Sequence, residues 1–215
     1  MSDASPVRQL LEPVPALAFA MALVGFSLPL LWLEVNPLTG ALGTVALLSY
    51  VLVYTPLKSR THWAMEVGAL PGALPPLMGW TAASGHIELP GLTLFGILYL
   101  WQLPHFIAIA MFRKAEYSAA GLTSLPLAKG DRVARWTAVA ALVLLVPASI
   151  APSAVGLCGP LYLVSALVLD LVFLGEGLRG VVTNGDARWA RKLFGISLLY
   201  LTLLFVALGV DRALR

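Results

Sequence analysis

Seven apolar runs of membrane length, at about 15–34, 38–55, 64–83, 91–112, 136–154, 159–177 and 193–210, leave this 215-residue chain few ways to fold. A bilayer core of about 30 Å takes roughly 20 mostly apolar residues per helix. Inside it each backbone N–H and C=O needs an internal partner, so such runs form helices rather than loops or open sheets. The expected fold class is therefore all-α: a polytopic membrane bundle of about seven transmembrane helices, with residues 1–215 as a single domain. Charged residues make up only 12% of the chain, against about 25% in soluble domains, which excludes an ordinary water-soluble globule. The first run follows no basic n-region and precedes no small-residue cleavage site, so it reads as a span and not as a removable signal. Cys158 stands alone in an apolar stretch, which excludes a disulfide framework and a thiolate metal cluster.

Fourteen basic residues face eleven acidic ones, and where they fall matters more than the net charge of +3. With seven spans, one side of the membrane receives Arg8, Lys58, Arg60, Arg113, Lys114, Lys129, Arg132, Arg135, Arg179, Arg188, Arg191 and Lys192. The other receives only Arg212 and Arg215. By the positive-inside rule the first side is cytoplasmic, which puts the N-terminus in the cytoplasm and the C-terminus outside. The charges serve that topology, and no nucleic-acid partner is expected.

Most of the polar residues that need explaining gather on the basic side. The stretch from Tyr54 to Trp63 holds Lys58, Arg60 and several hydroxyls at the start of a helix, a set suited to an anionic head group such as a diphosphate. The same cations could simply orient the spans and touch membrane lipid phosphates. Glu66 lies one turn into the third span, where an ionisable group faces a cavity or pairs with Lys58 or Arg60. Three prolines and three glycines between Gly68 and Gly79 predict a broken helix walling a chamber, or close helix packing through Gly68 and Gly72.

Trp101 and His105 fall one turn apart on one helix face. A buried imidazole there is either a packing element or a ligand, and a flat aromatic molecule such as a porphyrin would use both ring and nitrogen. In the loop from Arg113 to Arg135, Glu116 and Asp131 could hold a hydrated Mg²⁺, which favours one or two carboxylates plus substrate phosphates, or could be plain solvated charge. Asp170, in the middle of the sixth span, calls for a partner that the sequence does not name.

Four stretches resemble one family, the UbiA-type intramembrane prenyltransferases, and within it the branch that modifies haem. They are Y-T-P-L-K-x-R-T at 54–61, G-A-x-P-G-A-L-P-P-x-x-G-W at 68–80, W-Q-x-P-H-F at 101–106 and E-Y-x-x-A-G-x-x-x-L-P at 116–126. The resemblance implies a bundle of nine helices that moves a farnesyl group from farnesyl diphosphate to a vinyl of haem B, giving haem O, with Mg²⁺ on the diphosphate. It assigns Glu116, Lys58 and Arg60 to catalysis; Tyr54, Lys58, Arg60, Arg113 and Lys114 to the diphosphate; His105 and Trp101 to haem; and Glu116 with Asp131 to the metal. Membrane lipid, haem B and farnesyl diphosphate are the implied partners, with haem A synthase or terminal-oxidase assembly proteins downstream, and a bacterial cytoplasmic (inner) membrane is the implied location.

The chain departs from the family pattern in four places. Nothing before Pro15 resembles the N-x-x-x-D-x-x-x-D motif, Ala115-Glu116-Tyr117 stands where the branch reads D-D-Y, Ala64 replaces an asparagine, and Ser124 replaces a methionine. The alternatives are another UbiA-type aromatic prenyltransferase, or a catalytically inactive membrane homologue that binds haem or an isoprenoid. A channel is disfavoured because Glu66, His105 and Asp170 do not line up as a pathway.

Overall fold

The computed structural model describes residues 13–215, and Arg8 of the charge count lies outside them. Among the described residues all regular structure is helical. Helix α1 (Pro13–Leu30) runs into a π-helical turn (Leu31–Val35), and α2 (Pro37–Leu48) into a second (Ser49–Tyr54) that ends in a short turn, Thr55–Leu57. Then come α3 (Ala64–Ser84), α4 (Leu89–Phe112), the short α5 (Lys114–Ala119) and α6 (Leu125–Lys129), and the long α7 (Asp131–Ala154), α8 (Pro160–Val182) and α9 (Ala187–Ala213). The seven long helices fall at the seven expected spans. Six of them are long and apolar enough to cross a membrane. The seventh, α3, is enriched in proline and glycine, carries Glu66, and lies between α2 and α4. The chain is an integral membrane protein.

Local chemistry sets the helix ends. Asn36 caps α2 by accepting from the Thr39 amide at 2.8 Å, while its Nδ2 donates to the Thr81 carbonyl at 2.8 Å and so ties α2 to the end of α3. Proline begins α2 and α8, where its missing N–H is one of the helix's unpaired donors in any case. At the far end of the molecule Asp211, in the last turn of α9, accepts from the amides of Gly159 and Tyr162 and caps α8 from a neighbouring helix. Cys158 is free and buried, and burial, reinforced by Asp211, pushes its thiol up to about 11.

Two expectations need correcting. The proline-rich third span is not broken, because α3 runs continuously from Ala64 to Ser84 with Pro71, Pro75 and Pro76 inside it. Its glycines at 68 and 72 do serve close packing, against two different neighbours: a Cβ on Gly68 would lie 2.5 Å from the Tyr54 ring of the second π-helical turn, and one on Gly72 would strike the Gln102 amide of α4. Gln102 in turn donates to the Ala69 carbonyl at 3.4 Å, so neighbouring helices and their polar tips hold the proline-bearing segment in place. The apolar runs also understate the later helices. α7 starts at Asp131 and α9 at Ala187, because helical hydrogen bonding continues past the lipid into the charged turns.

α4 is the central helix, packed against α3, α7 and α9, and α8 closes the second half against α7 and α9. The core joins Ile97, Trp101 and Ile107 of α4 to Leu142, Leu145, Phe173, Leu193 and Tyr200. Asp170 finds its partners here: Ser149 Oγ donates to it at 2.6 Å and Tyr200 Oη at 2.8 Å, linking α7, α8 and α9 through one buried carboxylate. Outward faces stay apolar, as on α1 with Leu17, Phe19 and Phe26, which suits lipid as the solvent.

Candidate functional site

At the basic end of the bundle a cavity of about 290 Å³ opens among α2, α3, α4 and the connections beyond them. The π-helical turn of α2 rotates Tyr50 and Tyr54 toward it, their rings 4.9 Å apart. Lys58 and His62 enter from the connection before α3, Tyr117 from α5, and Thr123 and Ser124 from the loop before α6. Met65, Phe106, Ile107 and Ala110 supply apolar wall from the helices themselves. The cavity is thus two-part, with polar groups from the connections at one end and hydrocarbon from the spans at the other. Two bonds hold the connections together: the Thr123 amide donates to the Lys58 carbonyl at 3.1 Å and Thr123 Oγ1 to the Ser59 carbonyl at 3.2 Å.

The residues expected to hold diphosphate and metal separate into three groups. Tyr54 and Lys58 line the cavity. Arg60 is exposed on the adjoining turn and does not line it. The remaining cations and acids pair with each other, Arg113 with Glu116 at 3.0 Å and Lys114 with Asp131 at 2.8 Å. Glu66 forms no ion pair with Lys58 or Arg60, and its buried Oε2 has no partner among the described residues. Among the described residues no group of three or more histidine, cysteine or acidic side chains gathers to hold a metal, and no carboxylate lines the cavity. As arranged, Glu116 and Asp131 each answer a cation, so they do not fit a magnesium site between them.

Trp101 and His105 stack at 4.6 Å and are buried against α9. Ser197 organises both, its carbonyl accepting from Trp101 Nε1 and its Oγ meeting His105 Nδ1, each at 2.7 Å. Ser197 Oγ spends its own proton on the Phe194 carbonyl at 2.6 Å. It must therefore accept from His105, which places the imidazole proton on Nδ1 and leaves Nε2 with a free lone pair. The Phe194 ring, 4.9 Å from His105, forms part of a second hollow of about 490 Å³ with Phe112, Arg113 and Glu116. Ile109, Tyr117 and Leu122 are common to both hollows. Burial holds the Tyr117 phenol above its ordinary value, Arg113 draws it down and Glu116 pushes it up, so at neutral pH it is a protonated donor.

The UbiA prenyltransferase family profile matches residues 5–206 of the sequence. The chain belongs to that family. It is similar to the protoheme IX farnesyltransferase of Myxococcus xanthus (strain DK1622), 54% identical over 205 residues that make up 95% of this chain and 70% of that one. It is also similar to the protoheme IX farnesyltransferase of Sorangium cellulosum (strain So ce56), 50% identical over 95% of this chain and 73% of that one. The fold is similar to a solved structure concerned with digeranylgeranylglyceryl phosphate synthase in membranes, with a TM-score of 0.75 at 19% identity, over 95% of this chain and 71% of that one.

For a UbiA member, the informative residues that sequence reasoning missed are Tyr50 and Ser197. Tyr50 stands one turn before Tyr54, a periodicity that could have drawn it in. Ser197 lies ninety-two residues from the histidine it orients, and nothing in the sequence signals it.

Proposed function

We propose that this chain transfers a farnesyl group from farnesyl diphosphate to a vinyl of haem B, giving haem O. The observation that carries the reading is the two-part cavity: Lys58 and phenolic hydroxyls sit where a diphosphate would, and an apolar wall continues along the spans for the isoprenoid. Identity of 54% to a protoheme IX farnesyltransferase supports the same reaction. In it the C1–O bond of the allylic diphosphate breaks, the electron pair leaves with the diphosphate, and the allylic carbon bonds to the vinyl. Water then adds to the resulting cation and loses a proton.

Lys58 matches the charge that grows on the leaving group, in a partly apolar site where that attraction counts for more than in water. Tyr54 and Tyr50 line the cavity, where an allylic cation would gain from the aromatic quadrupole. Arg60, Arg113 and Lys114 border the same end and draw in the diphosphate, the latter two by exchanging their carboxylate partners for it. Haem is taken at the second hollow, whose Phe194 wall backs onto His105 and Trp101, with Tyr117 between the two substrates. Magnesium belongs to this reading as the counter-ion general to the family, but the chemistry of the described residues rests on their own cations. The basic end faces the cytoplasm, the side that receives the water-soluble diphosphate product, and the N-terminus lies on that side.

The test is turnover by the purified protein in lipid with haem B, farnesyl diphosphate and Mg²⁺, with products resolved by chromatography and mass. Haem O formation that falls at least tenfold in Lys58→Ala supports the reading. Haem binding without any haem O would instead support a non-catalytic haem-binding homologue, the reading that the pairing of Glu116 with Arg113 and of Asp131 with Lys114 favours.

A further inference from the structure

Ser124 occupies the N-cap of α6, in extended backbone at φ −126° and ψ 159°. A serine there ordinarily turns its oxygen onto the first free amides of the helix. This one does not: the side chain makes no cap bond, and it is the Ser124 carbonyl that accepts from the Leu127 and Ala128 amides. The residue is only 8% exposed, and its Oγ is buried with no hydrogen-bond partner among the described residues. A buried hydroxyl without a partner is costly, and such groups in folded proteins call for an explanation.

Its position supplies one. Ser124 lines the cavity beside Thr123, whose two bonds to the Lys58–Ser59 backbone fix the loop against the turn that carries Lys58. It therefore belongs to the polar end of the cavity, with Lys58, His62 and Tyr117 as neighbours in the lining. Among the described residues its hydroxyl is thus a donor without a partner in the wall of this cavity.

We propose that the Ser124 hydroxyl is a specificity contact of this cavity, donating a hydrogen bond to an anionic oxygen of the bound substrate. The inference rests on the transferase reading for the identity of that substrate, in which the oxygen belongs to the diphosphate of the prenyl donor or to a carboxylate of the porphyrin. The contact itself follows from the cavity and the unpaired hydroxyl.

Wild type, Ser124→Ala and Ser124→Thr are compared in lipid by three measurements: calorimetric binding of inorganic diphosphate with Mg²⁺, optical titration with haem B, and steady-state turnover. Because the side chain does not cap α6, Ser124→Ala is expected to keep the thermal midpoint of the wild type. Weaker inorganic diphosphate binding, roughly tenfold, with a matching rise in KM for farnesyl diphosphate, an unchanged kcat and recovery in Ser124→Thr, assigns the oxygen to the diphosphate. The same loss confined to haem titration and the KM for haem assigns it to the porphyrin carboxylate. Unchanged binding of both probes, or a fall in kcat alone, overturns the proposal. Absence of wild-type turnover would defeat the transferase reading and leave the two binding measurements to decide this one.

Discussion

At the scale of single residues, the His105 tautomer is set from outside its own helix. Ser197 is a positioning residue, since it reaches neither cavity and acts by taking the Nδ1 proton while its own goes to Phe194. Ser197→Ala leaves the buried Nδ1–H without an acceptor, a loss of about 1–3 kcal/mol in folding free energy. The variant should unfold at lower temperature, and the absorption band of bound haem should shift, because the ring no longer has one enforced tautomer. A haem spectrum identical to wild type would show that His105 has only a packing role. Tyr54 and Lys58 were legible from sequence because both sit in one continuous boundary motif. Arg113, Lys114, Glu116 and Asp131 were legible as charges but not as pairs, since which acid answers which base depends on how α5 meets the start of α7.

At the scale of elements, two acids, Asp170 buried and Asp186 exposed, show how the second half is fastened. Asp170 accepts from Ser149 of α7 and Tyr200 of α9, so Asp170→Ala breaks both links and strands the Tyr200 hydroxyl, while Ser149 keeps the Val146 carbonyl at 2.8 Å. We expect a loss of about 3 kcal/mol, read as the thermal midpoint in detergent, and a smaller loss for Tyr200→Phe. Asp186 caps α9, accepting from the amides of Arg188 at 2.9 Å and Trp189 at 3.1 Å, and the bonds from these amides, Trp189 first, hold its carboxyl below the ordinary range. A carboxyl depressed in the folded state contributes stability above its unfolded value and loses it as pH falls through the folded one. Thermal stability should therefore fall on the acid side of the usual carboxylate range, and Asp186→Asn should flatten that limb while keeping an oxygen for the cap. An acid limb that is the same in both proteins would disprove the assignment. Element positions were legible because length and apolarity decide them. The ends and continuity of the helices were not: α3 stays continuous through three prolines, and Tyr54 and Gln102 from two other segments pack against its Gly68 and Gly72, contacts that no local pattern reveals.

At the scale of the whole molecule, alternation of seven helices gathers the connections around residues 58, 120 and 185 at one end. The Arg135 guanidinium adds to this, donating to Gly185 and Asn184 and joining the start of α7 to the turn before α9. The topology predicts that Arg60→Cys and Arg188→Cys react with an impermeant maleimide from one side of a sealed vesicle and His86→Cys from the other. Cys158 should add little background, because its buried thiol is pushed up to about 11. Labelling of positions 60 and 188 from opposite faces would refute the seven-helix arrangement. What sequence alone could not give at this scale is the cavity, whose walls come from segments more than seventy residues apart, from Tyr50 to Pro126.

The bond from the Thr123 amide to the Lys58 carbonyl gives the molecule a built-in clock. That amide cannot exchange its hydrogen for deuterium until the two connections part, so its exchange rate counts openings of the cavity mouth. A ligand that bridges the two connections should slow this amide by the factor with which it favours the closed arrangement, while the amide of Val155, beyond the opposite end of α7, keeps its own time.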